Sequence, residues 1–339
     1  MVTRLVRLVS RYIVIGAGAV GALLAAQWTS ARVPVTLVGR GRALEVIERD
    51  GVRVRRPGGD EVIEVDVVGS IQEARPRLSD AIVLAVKSQD VERVIADIAW
   101  VELADGLGVV ADLPILTLQN GLASEEIALR RFDRVIGVSV GIPASHLEPG
   151  VIVSPGRPVV GVAWIGGYPR SIPAEEERHR GAFTRAGFAA IIEPDIAAAK
   201  RRKLIANLRN IVDVFGATNE QQEYAEDALA GEARRVFAEA GLSVAPAAWD
   251  APRLDVDPVP GHVPGHLSTW QSFARGTTSE VDFLSGEVAL IARRHGLAAP
   301  LNAAVARELG IHAARKGRPG ELPLPPEFTS GSLLAERAW

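Results

Sequence analysis

The 339-residue sequence contains no cysteine. This absence excludes a disulfide framework, a thiolate nucleophile and a metal site built on cysteine. It fits the reducing cytosol, and we expect a cytoplasmic protein. No apolar run approaches the roughly 18 residues that a membrane span requires. The first apolar run, YIVI, ends in a glycine-rich turn rather than at a small-residue cleavage site, which argues against a signal peptide.

Strong charge of either sign is also absent, because 38 basic and 41 acidic side chains leave a formal net charge of −3. The chain therefore has no general attraction to nucleic acid or to acidic membranes, and we expect a small-molecule ligand. The sequence has no G-x-S-x-G, no P-loop and no metal-ligand cluster, which disfavours a hydrolase, a kinase and a metalloenzyme.

The first half of the chain alternates apolar strands with helical stretches. The run 12–15 is followed by a small-residue helix and by the strand 34–40, which together form a βαβ unit. Further strands are predicted at 81–86, 114–119 and 134–140, and hairpins at 51–68 and 151–167. These elements predict an α/β N-terminal domain with a Rossmann-type, doubly wound sheet.

After Pro194 the sequence becomes mostly helical, which predicts an all-α C-terminal domain. The predicted helices are 195–215, 220–241, 267–275, 278–296 and 301–316. We divide the chain into a nucleotide-binding domain at 1–193, a helical substrate domain at 194–318 and a Pro/Gly-rich tail at 319–339. The tail is expected to be loosely packed or to depend on a partner.

Gly16, Gly18 and Gly21 form the pattern G-x-G-x-x-G between the first strand and the first helix. In this context the pattern predicts a dinucleotide site: the first glycine permits the tight turn, the second admits the pyrophosphate, and the third lets helix and strand pack. The first helical residues, Ala19 and Val20, would offer N–H groups to phosphate. The alternative is a glycine-rich turn without a ligand.

The end of the second strand distinguishes NAD from NADP. An acidic residue there would bind the ribose 2′-hydroxyl of NAD, but this strand ends VGRGR, with Arg40 and Arg42 and no acid. Because an arginine fork binds a 2′-phosphate, we expect NADP (NADPH) as the cofactor, with Arg40 as the phosphate ligand and Arg42 solvated.

Lysine and asparagine are scarce, with 4 and 5 occurrences. Yet Lys203, Asn207 and Asn210 fall within eight residues, and helical periodicity places them in one narrow stripe beside an apolar face. A solvated stripe is the alternative. Lysine, unlike arginine, can pass a proton when burial lowers its pKa, so the stripe suggests acid catalysis.

Lys87 and Asn120 each follow a buried strand, in AVKSQD and LTLQNG. Ligands bind at the carboxyl ends of strands in an open parallel sheet, so both are candidate ligand-binding residues, with ordinary loop positions as the alternative. A later polar cluster holds Ser268 and Glu280. For Glu280 the alternative is a place in the first turn of a helix that Thr278 caps.

Five motifs in the same order give the chain a resemblance to the ketopantoate reductases (2-dehydropantoate 2-reductases) over roughly residues 12–315. They are IGAGAVGA, AVKSQ, LQNG, KLIAN, and S-T-W-Q followed by TSEVDFLSG. The last matches a family signature at Ser268, Gln271, Glu280, Asp282 and Gly286.

The resemblance implies a Rossmann domain and a helical domain with the active site between them, and NADPH-dependent reduction of 2-dehydropantoate to (R)-pantoate. It also implies a role for each candidate residue. Lys203 would be the general acid and Glu280 its catalytic support. Asn207 and Ser268 would bind substrate, and Lys87 and Asn120 would face the nicotinamide ribose. The family expects its second asparagine at 211; periodicity places Asn210 beside Lys203 instead, and we add Asn210 to the substrate-binding residues. The resemblance also implies a homodimer.

The helical substrate domain, residues 194–318, departs from the family pattern at several positions. A second asparagine and a proline are usual where this chain has Ile211 and Val212, and a tryptophan is usual at Arg201. The segment 264–269 is also altered. These changes leave two alternatives open: a reductase of another small 2-keto acid or imine, and a non-catalytic NADP-binding sensor.

Overall fold

The computed structural model describes residues 9–247, 253–262, 268–276 and 279–328. Its strands are β1 Arg11–Ile15, β2 Val35–Val38, β3 Val52–Arg56, β4 Gly59–Ile63, β5 Val67–Val68, β6 Asp80–Leu84, β7 Ile115–Thr117, β8 Val135–Gly141, β9 Ser145–Glu148, β10 Val151–Val153, β11 Gly156–Arg157, β12 Val162–Tyr168, β13 Ala189–Ile192 and β14 Asp255–Val256.

Eleven α-helices are found in the described residues. They are α1 Ala19–Ser30, α2 Gly41–Asp50, α3 Ile71–Ala74, α4 Val91–Ile98, α5 Ala123–Leu129, α6 Pro173–Arg185, α7 Ile196–Val212, α8 Asn219–Glu239, α9 Ser268–Ala274, α10 Ser285–Arg294 and α11 Pro300–Ala314. None of these helices is both long enough and apolar enough to cross a membrane.

The main sheet has eight strands in the order β13-β12-β8-β7-β6-β1-β2-β5. All neighbours pair in parallel except β12 with β8, which are antiparallel. From β5 to β8 the order is that of a doubly wound dinucleotide-binding sheet, in which the order reverses between β1 and β6. The predicted fold class is therefore confirmed.

Both faces of the main sheet are covered. Along β1, Tyr12 and Val14 belong to one apolar cluster, whereas Ile13 and Ile15 belong to another. A strand buried on both sides needs apolar residues at successive positions, which explains the continuous run YIVI.

Within the segment 51–68, residues 52–63 form a hairpin, because β3 and β4 pair antiparallel. The end of the segment does not belong to it, since β5 pairs with β2 in the main sheet. The hairpin predicted at 151–167 is wrong. Strand β10 pairs with β3 and β9 in a four-stranded sheet, whereas β12 pairs with β8 and β13 in the main sheet. Two apolar runs around a Pro-Gly turn are typical of a hairpin, but here each run has partners distant in the sequence.

Contacts between described residues divide the chain into two units. The first contains residues 9–119, Ala123–Ala199 and 253–262, and the second contains Asn120–Leu122, 200–247, 268–276 and 279–328. The predicted boundary at 193 lies just before α7, and the contact boundary falls inside that helix. We keep the 193/194 division as a proposal.

The second unit packs around one face of α7. Leu204, Leu208, Ile211 and Val212 are fully buried, together with apolar residues of α8, α10 and α11. Helix α8 begins with a capping box in which Thr218 and Gln221 satisfy each other's main-chain N–H groups. The apolar face inferred from periodicity is the face that forms this core.

The described part of the C-terminal tail is packed, unlike the loose tail that we expected. The main-chain N–H of Gly216 donates to Leu322 O at 2.7 Å, and that of Gly320 donates to Val214 O at 2.8 Å. Phe328 is buried in the core of the second unit. Residues up to 328 therefore belong to the fold of that unit.

Candidate active site

The glycine loop joins β1 to α1. Gly16 has a φ of +116°, and a Cβ at this position would lie 2.8 Å from the carbonyl carbon of Ala85. A Cβ at Gly21 would overlap the carbonyl oxygen of Gly16. A Cβ at Gly18, in contrast, would meet nothing within 4 Å. Gly16 and Gly21 thus permit close packing of the loop, whereas Gly18 leaves open space in front of it.

Helix α1 begins at Ala19 without a side-chain cap, since its N-cap is Gly18. The N–H groups of its first turn, including those of Ala19 and Val20, have no partner inside the helix, and the helix dipole favours an anion at this end. Together with the open space at Gly18, this fits the pyrophosphate of a dinucleotide.

A cavity of about 460 Å³ lies at the carboxyl ends of β1, β2 and β6. Its walls include the glycine loop, Arg40 and Lys87, whereas Arg42 is not among its lining residues. Lys87 lies directly before a short 3₁₀ helix, Ser88–Asp90. The cavity occupies the point where the strand order of the main sheet reverses, which is where sheets of this type bind ligands.

The arginines of this cavity differ in their partners. Arg93 forms ion pairs with Asp90 at 3.2 Å and with Asp97 at 3.7 Å, so its charge is largely compensated. Arg40 is exposed and has no hydrogen bond or ion pair with any other residue that the structure describes. Of Arg40 and Arg93, therefore, only Arg40 has a guanidinium group that is available to an anion.

Gln119 is a positioning residue that the sequence analysis missed. Its Nε2 donates to Leu84 O at 2.9 Å and to Val86 O at 3.0 Å, which ties the end of β7 to the end of β6 directly before Lys87. The available signal was a polar residue closing the apolar run PILTLQ, since a buried amide requires partners.

Lys203 lies on α7, in the second unit, and is partly buried. Burial lowers the pKa of the Lys203 ammonium. Within the described ranges it has no hydrogen bond or ion pair, so the predicted support from Glu280 is not seen as a direct contact. A desolvated ammonium without a compensating carboxylate is a stronger acid than an ordinary lysine.

Three asparagines of the second unit are connected by hydrogen bonds. Asn207 donates from Nδ2 to Asn120 Oδ1 at 2.9 Å, and Asn210 donates from Nδ2 to Asn207 Oδ1 at 3.4 Å. Asn207 is almost completely buried. A Cβ at Gly121, the residue after Asn120, would lie 2.5 Å from Phe283 O, so the chain at 120–122 packs closely against Phe283 within the second unit.

Ser268 and Glu280 are the remaining predicted site residues. Ser268 is the exposed first residue of α9, and its carbonyl accepts a hydrogen bond from Ser272 Oγ at 2.9 Å. Glu280 is partly buried at the N-cap of the 3₁₀ helix Val281–Phe283. Thr278, the alternative cap, lies outside the described residues.

Two family models match the chain. The model described as ketopantoate reductase PanE/ApbA covers residues 12–167, and its C-terminal counterpart covers residues 195–312. The chain belongs to the ketopantoate reductase family. The predicted family is confirmed, and so is the enzyme class, an oxidoreductase. Enzymes of this family are pyridine-nucleotide-dependent reductases that act on a 2-keto acid.

Curated relatives agree with this assignment. The 2-dehydropantoate 2-reductase of Pyrococcus horikoshii is 29% identical over 299 residues, which cover 85% of this chain and 93% of the relative. That of Archaeoglobus fulgidus is 27% identical over 303 residues, which cover 87% and 95%.

Solved structures share the fold. A PanE/ApbA family ketopantoate reductase from Ralstonia eutropha aligns with a TM-score of 0.71 at 21% identity, covering 90% of this chain and 99% of that one. D-mandelate dehydrogenase, solved with NADH and anilino(oxo)acetate, gives the same TM-score at 16% identity and the same coverage.

The positions where this member of the family departs from the family pattern have structural roles here. Ile211 and Val212 are fully buried in the core of the second unit. Arg201 donates from Nε to Ser243 O at 2.5 Å, which ties α7 to the chain that follows α8. Residues 263–267 lie outside the described residues, so the altered segment 264–269 is seen only at Ser268 and Thr269.

Proposed function

We propose that this protein uses NADPH to reduce 2-dehydropantoate to (R)-pantoate, with Lys203 as the general acid. The observation that carries the mechanism is the burial of Lys203, which lowers the pKa of an ammonium that has no carboxylate partner among the described residues. The glycine loop and its cavity support the use of a dinucleotide.

The nicotinamide, when bound, supplies a hydride to C2 of the keto acid. The two electrons of that hydride form the new C–H bond, and the electrons of the carbonyl π bond move to oxygen. Lys203 donates a proton from Nζ to this oxygen, which yields the hydroxyl group, and the lysine is reprotonated from solvent. Stabilisation of the developing negative charge by the ammonium lowers the barrier.

The remaining site residues are assigned by the same proposal. Asn207, Asn210 and Ser268 bind substrate, and Glu280 assists Lys203. The cofactor is held by Gly16, Gly18, Ala19, Val20, Gly21, Arg40, Lys87 and Asn120.

NADPH rather than NADH is proposed because of the end of β2. The cavity wall there carries the unpaired Arg40 and no acidic residue follows the strand, so a 2′-phosphate would gain an ionic hydrogen bond and meet no repulsion. A homodimer in the cytoplasm completes the proposal; sedimentation analysis of the purified protein tests the dimer.

A second candidate is the reduction of a different small 2-keto acid or imine. It is favoured by Ile211 and Val212, which place apolar core side chains where the family pattern has polar or ring residues. The similarity in fold to D-mandelate dehydrogenase is consistent with varied substrates on this fold.

One assay separates these functions. The oxidation of NADPH is followed by its near-ultraviolet absorbance with 2-dehydropantoate and a panel of small keto acids. Turnover of 2-dehydropantoate with the highest kcat/KM is expected. Preference for another acid would support the second candidate, and binding of NADPH without turnover of any substrate would favour a sensor.

A further inference from the structure

A second cavity, of about 350 Å³, lies in the first unit beside the hairpin of β3 and β4. It shares no lining residue with the cavity at the glycine loop. Its walls include Gln27 of α1, Arg56 of β3, the turn of the hairpin and both residues of β11. The volume lies within the roughly 300–1,000 Å³ that is usual for small-molecule sites, so the cavity can hold a small ligand.

Arg56 is the partly buried cation of this cavity. Its Nη2 donates to Gly156 O at 3.0 Å, and no carboxylate pairs with it in the part of the chain that the structure describes. Burial lowers the pKa of the Arg56 guanidinium, because desolvation disfavours the charged form. Since Gly156 O uses only one of the five guanidinium hydrogens, Arg56 keeps donors for a further partner.

The neighbouring arginines of β3 are compensated. Successive side chains of a strand alternate, so Arg53 and Arg55 lie on the face opposite to Arg56. Both pair with the Asp60 carboxylate, Arg55 at 3.2 Å and Arg53 at 3.8 Å. Asp60 therefore satisfies the other face of the hairpin and does not neutralise Arg56.

Two further charged residues line the cavity. Arg157 pairs with Asp257 at 2.6 Å, so its charge is largely compensated. Glu61 is exposed and lies opposite Val54 in the register of the hairpin, on the same face as Arg56. Water screens an exposed carboxylate more strongly than a partly buried guanidinium, so the cavity keeps a net attraction for anions.

The opposite wall and the turn add a polar group and open space. The side chain of Gln27 is partly buried and has no hydrogen bond with another residue of the described ranges. A Cβ at Gly58 or Gly59 would meet nothing within 4 Å, so the turn leaves room for a ligand. We propose that this cavity binds a small anion through its carboxylate or phosphate oxygens, with Arg56 as the ionic hydrogen-bond donor and Gln27 as a second donor.

Isothermal titration calorimetry of the purified full-length protein tests the proposal with two probes, inorganic phosphate and malonate. We expect saturable binding of at least one of them. Arg56→Gln should raise its Kd by at least about tenfold, as for the loss of one ionic hydrogen bond. The probe that binds more tightly assigns the ligand to the phosphate esters or to the carboxylates.

Two variants separate this effect from general charge and from misfolding. Arg55→Gln removes the same charge from the opposite face of β3 and should change the Kd by less than about twofold, because Arg55 is already paired with Asp60. Gln27→Leu leaves the hairpin unaltered and changes no charge. It should raise the Kd by about threefold or more through the loss of a neutral hydrogen bond.

Three results would overturn the proposal. The first is the absence of saturable heat with both anions. The second is equal binding by wild type and Arg56→Gln, which would place the anion elsewhere, for example at the glycine loop. The third is tighter binding of glycine than of either anion, with loss of that binding in Glu61→Gln, because the cavity would then recognise a zwitterion. None of these results depends on turnover or on the proposed reaction.

Discussion

Gln119 donates its side-chain amide to the main-chain carbonyl of Leu84 at 2.9 Å, across the neighbouring ends of β7 and β6. The second hydrogen of the same Nε2 serves Val86 O, one residue before Lys87. The buried side chain of Gln119 thus donates both of its amide hydrogens to the end of β6 and holds the carboxyl ends of β6 and β7 together.

We predict that Gln119→Glu weakens cofactor binding by about tenfold and lowers the free energy of unfolding by about 1–3 kcal/mol. The substitution places carboxylate oxygen against the carbonyl oxygens of Leu84 and Val86 and removes both hydrogen bonds that the Gln119 side chain donates. Cofactor titration and urea denaturation measure the two effects. Gln222→Glu, on a partly exposed site of α8, is the control for the change of charge. Wild-type affinity in Gln119→Glu would contradict the positioning role.

Lys203→Ala should reduce kcat by roughly 10²–10⁴-fold, the usual contribution of general acid catalysis, while NADPH still binds. Lys203→Arg keeps the charge but should recover little activity, because guanidinium does not release its proton in this range. The matched control is Lys316→Ala, at an exposed lysine after α11, which should retain full activity. An unchanged kcat in Lys203→Ala would refute the acid role.

The pH dependence of reduction follows from the same residue. Lys203 must be protonated to act, so kcat should fall as the pH rises through its pKa. Because burial lowers the pKa of Lys203, this fall should lie below the range of an ordinary lysine. A pH–rate profile checks the position of the descending limb. If Lys203→Ala keeps the same limb in its residual activity, another group is titrating.

Arg40→Asp should weaken NADPH binding by about 10–100-fold and NADH binding by less than about threefold. The change removes an ionic hydrogen bond to the 2′-phosphate and adds repulsion, and neither effect involves a 2′-hydroxyl. Residue 40 is the N-cap of α2, a position that favours aspartate, so folding should be preserved. Arg42→Asp is the matched control. Equal weakening of both nucleotides would contradict the assignment.

We predict that protonation of His179 lowers the free energy of unfolding in acid. It is completely buried, its Nδ1 lies 2.9 Å from Tyr12 Oη, and burial, with Arg178 and Arg134 nearby, lowers its pKa to about 3. The unfolded chain binds this proton near pH 6.5, so the free energy of unfolding should fall as the pH drops from about 6.5 toward 3. The slope contributed is at most about 1.4 kcal/mol per pH unit.

Chemical denaturation over this pH range should show the slope in the wild type and its loss in His179→Gln. His295→Gln, at an exposed histidine, is the control for the removal of an imidazole. The same slope in both variants and the wild type would show that other groups govern the acid limb.

Local patterns predicted the parts of the fold that depend on nearby residues. The glycine spacing, the buried strands and the apolar face of α7 each follow from a few positions and a fixed period. The hairpin at 151–167 could not be judged in this way, since β10 and β12 each pair with strands that are distant in the chain. The packed tail was missed for the same reason: Leu322 and Phe328 contact residues of other elements.

The site shows a similar limit. Periodicity placed Lys203, Asn207 and Asn210 on one side of α7, but the partner of Asn207 is Asn120, 87 positions earlier. Hydrophobic periodicity describes one helix or strand at a time, so it cannot predict a contact between a strand end and a helix that lies 87 positions later. Gln119 was overlooked because its role depends on the carbonyl groups of a neighbouring strand rather than on a motif.

Strand β14 has a consequence for any attempt to divide the protein. Residues 253–262 follow two helices of the second unit, yet they belong to the first, where β14 pairs with β11 and Asp257 binds Arg157 at 2.6 Å. The nucleotide-binding unit is thus assembled from separate stretches of chain. A gene fragment that stops at residue 193 would encode an incomplete unit, so a self-sufficient nucleotide-binding module cannot be excised from this enzyme by one cut.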